Sequence, residues 1–587
     1  MRASPDPGVA FRGVLSAAAA LLLLAPASNG QGISLWQLNG FGSGDETGQA
    51  VAGGGDLNGD GTPDVVVGAW RADPGGLADA GAVVALSGAT GQLLWFALGA
   101  APSDGLGWAA AFVGDVNGDG FDDVAVSALT AAPGGLVEAG QVKVFSGLTG
   151  NVLYTFDGAA AGDRFGRSVG GAGDLNNDGV PDIVVGAYNA DPGGLVDAGT
   201  VKVFSGTNGG TILTLNGAVA DDRFGTAVAG PGDVDGDGTD DLLVGAQLAS
   251  LPGLTWAGQA YVISGGTGAT MYTFSGPVSF DRFGYSVAAP GDVNADGIPD
   301  FLVGSWLADP GGLTNAGRAV VFSGADGSQL HSLDGTSAYE HLGIFVASIG
   351  DVNGDGRADL LAGAPEYDGL TFPTGAGAAK IFSGSTGALL FKLAGSSFGD
   401  GFGRCVAGAG DVDGDSFPDV FVGAYQSCCP PTPTPGAGYG RMLSLVGYPT
   451  GTSPFGAGCP GSGGSVPKLA AFGGSPNTGN AGFGFAVSKG PGGSLAFPFL
   501  GTTAVPAGIP IAGCTLHIGG TILQFGPAIL LGGAPGAPGG GYAMRGAPIP
   551  ALPALVGLTL YFQFTVFDNG SSNGLFTFSN ALALTLG

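Results

Sequence analysis

The chain has 587 residues, a formal charge of −29 and 120 glycines, with 11% charged and 44% hydrophobic side chains. So much apolar content excludes a disordered acidic tail. With 18 Lys and Arg against 47 Asp and Glu there is no basic footprint for nucleic acid.

In chain order the first feature is an apolar run, Val14 to Ala25, preceded by Arg2 and Arg12. It has signal-peptide length and is too short to span a bilayer. Small residues follow, among them Ala25-Pro26-Ala27, so residues 1–30 are expected to be an export signal. No later run of about 18 apolar residues occurs, and no transmembrane segment is expected. The mature protein is therefore expected to be secreted, either extracellular or at the cell surface.

An acidic motif then begins at Asp56, Asp115, Asp174, Asp233, Asp292, Asp351 and Asp411, at steps of 59 residues with a final step of 60. A fixed period of this size marks a repeat architecture. Four strand-like segments recur in each copy. In the third they are Arg167 to Ala172, Asp182 to Ala187, Thr200 to Phe204 and Thr211 to Leu215. They are short, β-branched or small, and bounded by Gly, Asp, Asn or Pro. Four strands in each of seven repeats predict an all-β fold, a seven-bladed β-propeller over residues 33–447. The seventh copy ends at Arg441 to Val446 without an outer segment, and the orphan Ile33 to Leu38 is expected to supply it, closing the ring.

Within the motif, oxygen-bearing side chains fall at positions 1, 3, 5 and 9. They are Asp56, Asn58, Asp60 and Asp64; Asp115, Asn117, Asp119 and Asp123; Asp174, Asn176, Asp178 and Asp182; Asp233, Asp235, Asp237 and Asp241; Asp292, Asn294, Asp296 and Asp300; Asp351, Asn353, Asp355 and Asp359; Asp411, Asp413, Asp415 and Asp419. Alternate oxygens in a tight loop converge on a hard cation, and Ca²⁺ takes six to eight of them, whereas Mg²⁺ favours a smaller octahedral cage. Glycine at position 6 permits the sharp turn, and only the seventh copy departs, with Ser416. About seven structural Ca²⁺ ions are expected, which would offset roughly half of the formal charge.

The copies resemble FG-GAP repeats, known from the integrin α-subunit head and from bacterial secreted proteins. Phe165-Gly166, Phe224-Gly225, Phe283-Gly284 and Phe402-Gly403 match the first half of that name; Gly68-Ala69-Trp70, Gly186-Ala187-Tyr188, Gly363-Ala364-Pro365 and Gly423-Ala424-Tyr425 match the second. Copies one, two and six depart, with Thr47-Gly48, Leu106-Gly107 and Leu342-Gly343. The resemblance implies that these loops bind Ca²⁺ structurally and that ligands bind elsewhere.

Loops joining strands 1 and 2 of each blade lie on one face; those joining strands 2 and 3, or strand 4 to the next blade, lie on the other. Four of the 2–3 loops share a Pro-Gly-Gly-Leu scaffold. Blades six and seven break it, and blade six gains Tyr339, His341, Tyr367 and Phe372, the expected ligand-binding residues. Blade four breaks it with Leu251 and Trp256.

Residues 448–464 read as a Gly/Pro/Ser linker, and residues 465–587 as a small β-sandwich-like domain. Cys459 and Cys514 are the disulfide candidates there, Cys405 the expected buried free thiol, and Cys428 and Cys429 are adjacent. No nucleophile elbow, phosphate loop or zinc signature occurs, and the three histidines are scattered. The chain is expected to be a non-enzymatic extracellular protein that binds a protein or glycan; the alternative is a scaffold module of a larger secreted enzyme or surface assembly.

Overall fold

In the computed structural model the described residues run from 33 to 445, apart from 41, 369–371, 374, 396–398 and 426–436, together with the backbone of strands between 452 and 585. The expected export signal, the 448–464 linker outside its one short strand, Cys428, Cys429 and the side chains of Cys459 and Cys514 lie outside the described residues. No helix among the described residues is long and apolar enough to cross a membrane.

Seven four-stranded antiparallel sheets succeed one another as blades. Blade three is built from Phe165–Gly173, Asp182–Ala187, Thr200–Phe204 and Thr211–Asn216, in that order from axis to rim. The second strand is buried along its whole length in every blade. That explains its continuous Val, Leu, Ile and Ala character, since a strand covered on both faces does not alternate. The core sits between blades. Val184, Val201 and Val203 of blade three, for example, pack on Phe224, Val228 and Leu242 of blade four.

Ring closure follows the sequence expectation. Ile33–Asn39 pairs antiparallel with Tyr439–Ser444, from Ile33 opposite Ser444 to Asn39 opposite Tyr439, and forms the outer strand of blade seven. The two halves of the repeat motif meet at each blade junction. A Cβ on Gly68 of blade one would lie 2.0 Å from the carbonyl oxygen of Gly107 in blade two, and Gly245 stands in the same relation to Gly284. Across the closing junction Gly423 would meet the Gly48 oxygen at 2.1 Å. Where both positions are glycine the pair leaves no room for a side chain, while at the blade two to three junction a buried Ser127 faces Gly166.

Outer strands add a latch to the next blade. The Trp36 indole donates to the Gly88 carbonyl at 2.8 Å, Trp95 to Gly147 at 2.7 Å, and the Tyr154 hydroxyl to Gly206 at 2.8 Å. His331 Nε2 meets the Gly384 carbonyl at 2.8 Å, which gives that histidine a structural place.

The propeller through Ser444, apart from Val352–Asp355 and Gly414–Phe417, forms one compact unit, and those two segments with the chain from Leu445 onward belong to a second. In the second, Leu495–Gly501 pairs antiparallel with Thr559–Phe567, which pairs with Ala581–Thr585.

Candidate functional site

The acidic loops are pre-formed by their own side chains. Asp56 accepts the N–H groups of Gly59 and Gly61 at 2.7 and 2.9 Å, Asn58 accepts from Asp60 at 2.9 Å, and Asp60 from Thr62 at 2.8 Å. The fourth loop repeats this, with Asp233 accepting from Gly236 and Gly238, and Asp237 from Thr239. These side-chain-to-backbone bonds fix the turn, so the carboxylates need no rearrangement to converge. Position 4 takes positive φ even where it is not glycine, at Asn177 (56°) and Ala295 (62°), and Ser416 at position 6 adopts 72°. The serine of the seventh loop thus enters the turn that its glycine counterparts make.

Position 9 anchors each loop. Asp64 is fully buried and accepts from Leu57 N–H at 2.9 Å and Gly88 N–H at 3.0 Å. Burial, and then its neighbours Asp60 and Asp56, push its carboxyl up to about 6; Asp123 and Asp182 reach about 6 for the same reasons. In loops four and seven, where position 3 is an aspartate, three carboxylates bring ligand atoms within 4.8 Å of one another: Asp233, Asp235 and Asp237, and Asp411, Asp413 and Asp419. This donor set is oxygen throughout and its charges repel, which fits a hard divalent cation.

On the opposite face the 2–3 loop of one blade carries the loop leading into the next: Phe165 N–H donates to the Ala139 carbonyl at 2.9 Å, and Phe224 N–H to Ala198 at 2.9 Å. A cavity of about 210 Å³ lies on the axis, lined by first-strand residues of all seven blades, among them Trp108, Arg167, Tyr285, Phe345 and Arg404. Arg167 sits among three rings, 5.7 Å from Trp108 and 5.6 Å from both Tyr188 and Tyr285. Tyr285 is half-buried against the cavity wall. Burial raises its hydroxyl, but Arg404 and Arg167 outweigh that and draw it below the usual phenol range. Cys405 lines the same cavity as a free thiol, and burial pushes it up to about 11, so it stays protonated and unreactive.

The ligand-binding residues expected from sequence lie differently from one another. Tyr339 is half-buried with φ 63°, while His341 is only 2% exposed and packs 5.2 Å from the Trp306 ring. Its burial holds the imidazole down at about 4, hence neutral. His341 is thus a packing residue in the junction between blades five and six, and it offers no exposed surface to a ligand. The neighbouring acids are committed as well. Glu340 is ion-paired with Lys380 and accepts the Thr336 N–H at 2.6 Å, the same loop-capping role that Asp104 performs toward Ala100 and Ala101. Glu366 faces Lys392 at 3.7 Å. Tyr367–Asp368 and Phe372–Pro373 form a two-residue antiparallel ladder whose side chains lie outside the described residues.

The sequence marks Trp256 as the blade-four departure but not its exposed partner Phe280 or the arginines beside it; the two rings are 38% and 52% exposed with centroids 5.8 Å apart. The available signal was the Asp-Arg-Phe-Gly repeat, which sets Arg164, Arg223 and Arg282 at one position of three successive blades.

The fold and its two faces define a closed repeat propeller with acidic turn loops on one side and a ring of cations and aromatics on the other. Residues 47–86, 106–145, 165–204, 224–263, 345–382 and 402–439 match the FG-GAP repeat family. The propeller is an integrin-α-like FG-GAP β-propeller. The chain is 33% identical over 217 residues to integrin alpha-PS2 of Drosophila melanogaster, covering 33% of this chain and 15% of that protein. It is 33% identical over 222 residues to integrin alpha-5 of Xenopus laevis (35% and 20%), and 37% identical over 277 residues to human integrin alpha-IIb (42% and 25%). The chain therefore spans a quarter or less of each of these relatives.

Proposed function

We propose that this chain is an extracellular, non-enzymatic binding protein whose propeller is stiffened by Ca²⁺ in the acidic loops and engages its ligand through the opposite face. The observation that carries the reading is the division of labour between faces. On one, the described acidic side chains are tied to groups of their own and of neighbouring turns, as Asp56 is to Gly59 N–H and Asp122 to Asp56 N–H; on the other, aromatic and cationic side chains interrupt a uniform scaffold. In each loop the residues at positions 1, 3, 5 and 9 would hold the ion, as with Asp233, Asp235, Asp237 and Asp241. Bound there, Ca²⁺ supplies positive charge to carboxylates that, except beside Arg357 in the sixth loop, have no cationic side chain in their own loop. Its role is structural, since the loops face away from the ligand side.

The ion pairs of Glu340 and Glu366 and the burial of His341 support a binding role over acid–base catalysis, because among the described residues both glutamates of these loops are already committed to lysines. The blade-six loop with Tyr339, Tyr367 and Phe372 and the blade-four sector around Trp256 are the two places on this face where a ligand would be anchored.

Elemental analysis of the full chain after dialysis tests the metal half, with about seven Ca²⁺ per chain expected. Fewer than about three would overturn it. A glycan and extracellular-protein array, run with and without chelator, tests the binding half; no retained ligand in calcium would overturn it.

A further inference from the structure

The blade junctions form an internal series on the ligand side. At the first five, a 2–3 loop residue with positive φ faces the residue that leads into the next blade: Asp79 and Gly105, Glu138 and Arg164, Asp197 and Arg223, Trp256 and Arg282, Asn315 and His341. Glu138 and Arg164 make an ion pair at 2.7 Å. At the next junction Asp197 is kept, but Arg223 lies 5.1 Å over the Tyr188 ring and makes no ion pair among the described residues. At the one after, the acid is replaced by Trp256, and Arg282 lies 4.9 Å over its indole, again without an ion pair among the described residues. The Nε groups of Arg223 and Arg282 are buried and have no hydrogen-bond partner.

The two arginines also feel each other, since burial and then Arg223 draw Arg282 below the usual guanidinium range. A chain with 47 acidic residues has placed two half-buried arginines in successive blades, each with a buried Nε, where no acid among the described residues pairs with them. Such an arrangement is costly unless something else supplies the charge. Arg167 continues the line, sharing the Tyr188 ring at 5.6 Å and reaching the axial cavity. At the other end Trp256 and Phe280 are exposed. Trp256 holds φ 50° at a position where blades one, three and five carry Asp or Asn, residues that tolerate this conformation better.

We propose that this track, Arg167–Tyr188–Arg223–Arg282–Trp256–Phe280, binds an acidic saccharide, a chain of uronate- or sulfate-bearing sugars. The proposal rests on the reading of this face as the ligand side and names the ligand class. Cations and rings lie together along one line, so the ligand is expected to offer anions and flat C–H faces within the same unit. A uronic acid does both: its carboxylate meets a guanidinium and its pyranose face covers an aromatic ring. An acidic peptide carries carboxylates on flexible arms and has no such face.

The test is calorimetric titration of the full chain in calcium with oligogalacturonate, heparin, neutral dextran and polyglutamate. Binding to at least one acidic saccharide is expected, weakening as salt rises, with none to dextran. Arg223→Ala, Arg282→Gln and Trp256→Ala should each weaken binding by about tenfold or more. Arg318→Ala, at an outer strand where Arg318 pairs with Asp334, should not. Thermal melts of each variant separate loss of the site from loss of the fold, and salt competition on the wild type reads the charge without any mutation. Tighter binding of polyglutamate than of either saccharide, no binding to any anion, or unchanged affinity in Arg223→Ala and Arg282→Gln would each overturn the proposal. If the array retains a ligand that these variants bind as well as wild type, the binding function stands and the arginine track falls; if it retains none, both fall.

Discussion

Trp36→Ala tests how the ring is closed. Trp36 lies on the strand that arrives from the N-terminal side, 7% exposed, with its indole N–H on the Gly88 carbonyl at 2.8 Å and its ring 5.5 Å from Phe421. It belongs to the cluster that joins blade seven to blade one through Val65, Val67, Cys405 and Met442. Truncating a buried aromatic of this size costs about 3–5 kcal/mol, of which the lost hydrogen bond is about 1 kcal/mol. Trp36→Phe keeps most of the ring and should lose only the smaller share. The same truncation at Trp95, whose latch lies inside the continuous array, provides the comparison. A strand anchored at one end can detach once its anchor goes, so Trp36→Ala should also increase exchange of the Tyr439–Ser444 amides, whereas Trp95→Ala should not. Urea unfolding followed by circular dichroism gives the stability, and hydrogen exchange gives the local effect. A loss below about 1 kcal/mol for Trp36→Ala would refute the idea that this strand holds the ring closed.

Three further outcomes are expected. Lys380→Met should destabilise the fold by about 3–5 kcal/mol by leaving Glu340 buried without its cation, and adding Glu340→Gln should recover part of the loss in a double-mutant cycle. His341 should make the protein acid-sensitive: its folded value of about 4 lies below the unfolded 6.5, so the unfolded chain protonates first and stability falls as pH drops through that window. The maximum loss is about 3 kcal/mol, and the difference between wild type and His341→Gln in denaturant midpoints at pH 7 and pH 4.5 reads most of it. Asp241→Ala strips the partner from the Val234 and Gly265 N–H groups, so with or without calcium it should cost at least about 2 kcal/mol, visible as a lower melting temperature.

Much of the propeller was legible because its determinants are local and repeated. The acidic motif, four short strands and the orphan segment at Ile33 each announce themselves in one stretch of chain, and repetition in register removes the ambiguity of any single strand. What was hidden depends on contacts between blades. Nothing around His331 indicates that its ring caps a turn in the following blade, and nothing around Glu340 indicates a lysine 40 residues later beneath it. His341 reads as an exposed loop residue because it sits among turn formers, yet its position faces a neighbouring blade across a junction. The cation track was equally invisible, since each arginine stands in an ordinary Asp-Arg-Phe-Gly copy. Only pairing each copy with the loop that precedes it in space exposes the missing acid.

That pairing also explains where a propeller of this kind is free to vary. Gly68 against Gly107 and Gly423 against Gly48 leave no room for a side chain, so those positions are fixed by the spacing of the blades. The position 9 aspartates are fixed by the backbone amides they satisfy. The residue pair above each junction carries neither duty. At one junction it is an ion pair, at another an arginine over an indole, at a third a neutral histidine beside Asn315, all on the same backbone turn. Where the pair is open to solvent, as at Glu138–Arg164 and Trp256–Arg282, a substitution changes the charge and shape presented with little effect on how the blades stack, whereas His341 is packed into its junction. Recognition is therefore expected to evolve at these junctions first, and the blade four to blade five junction is the one whose charge is least answered from within the protein.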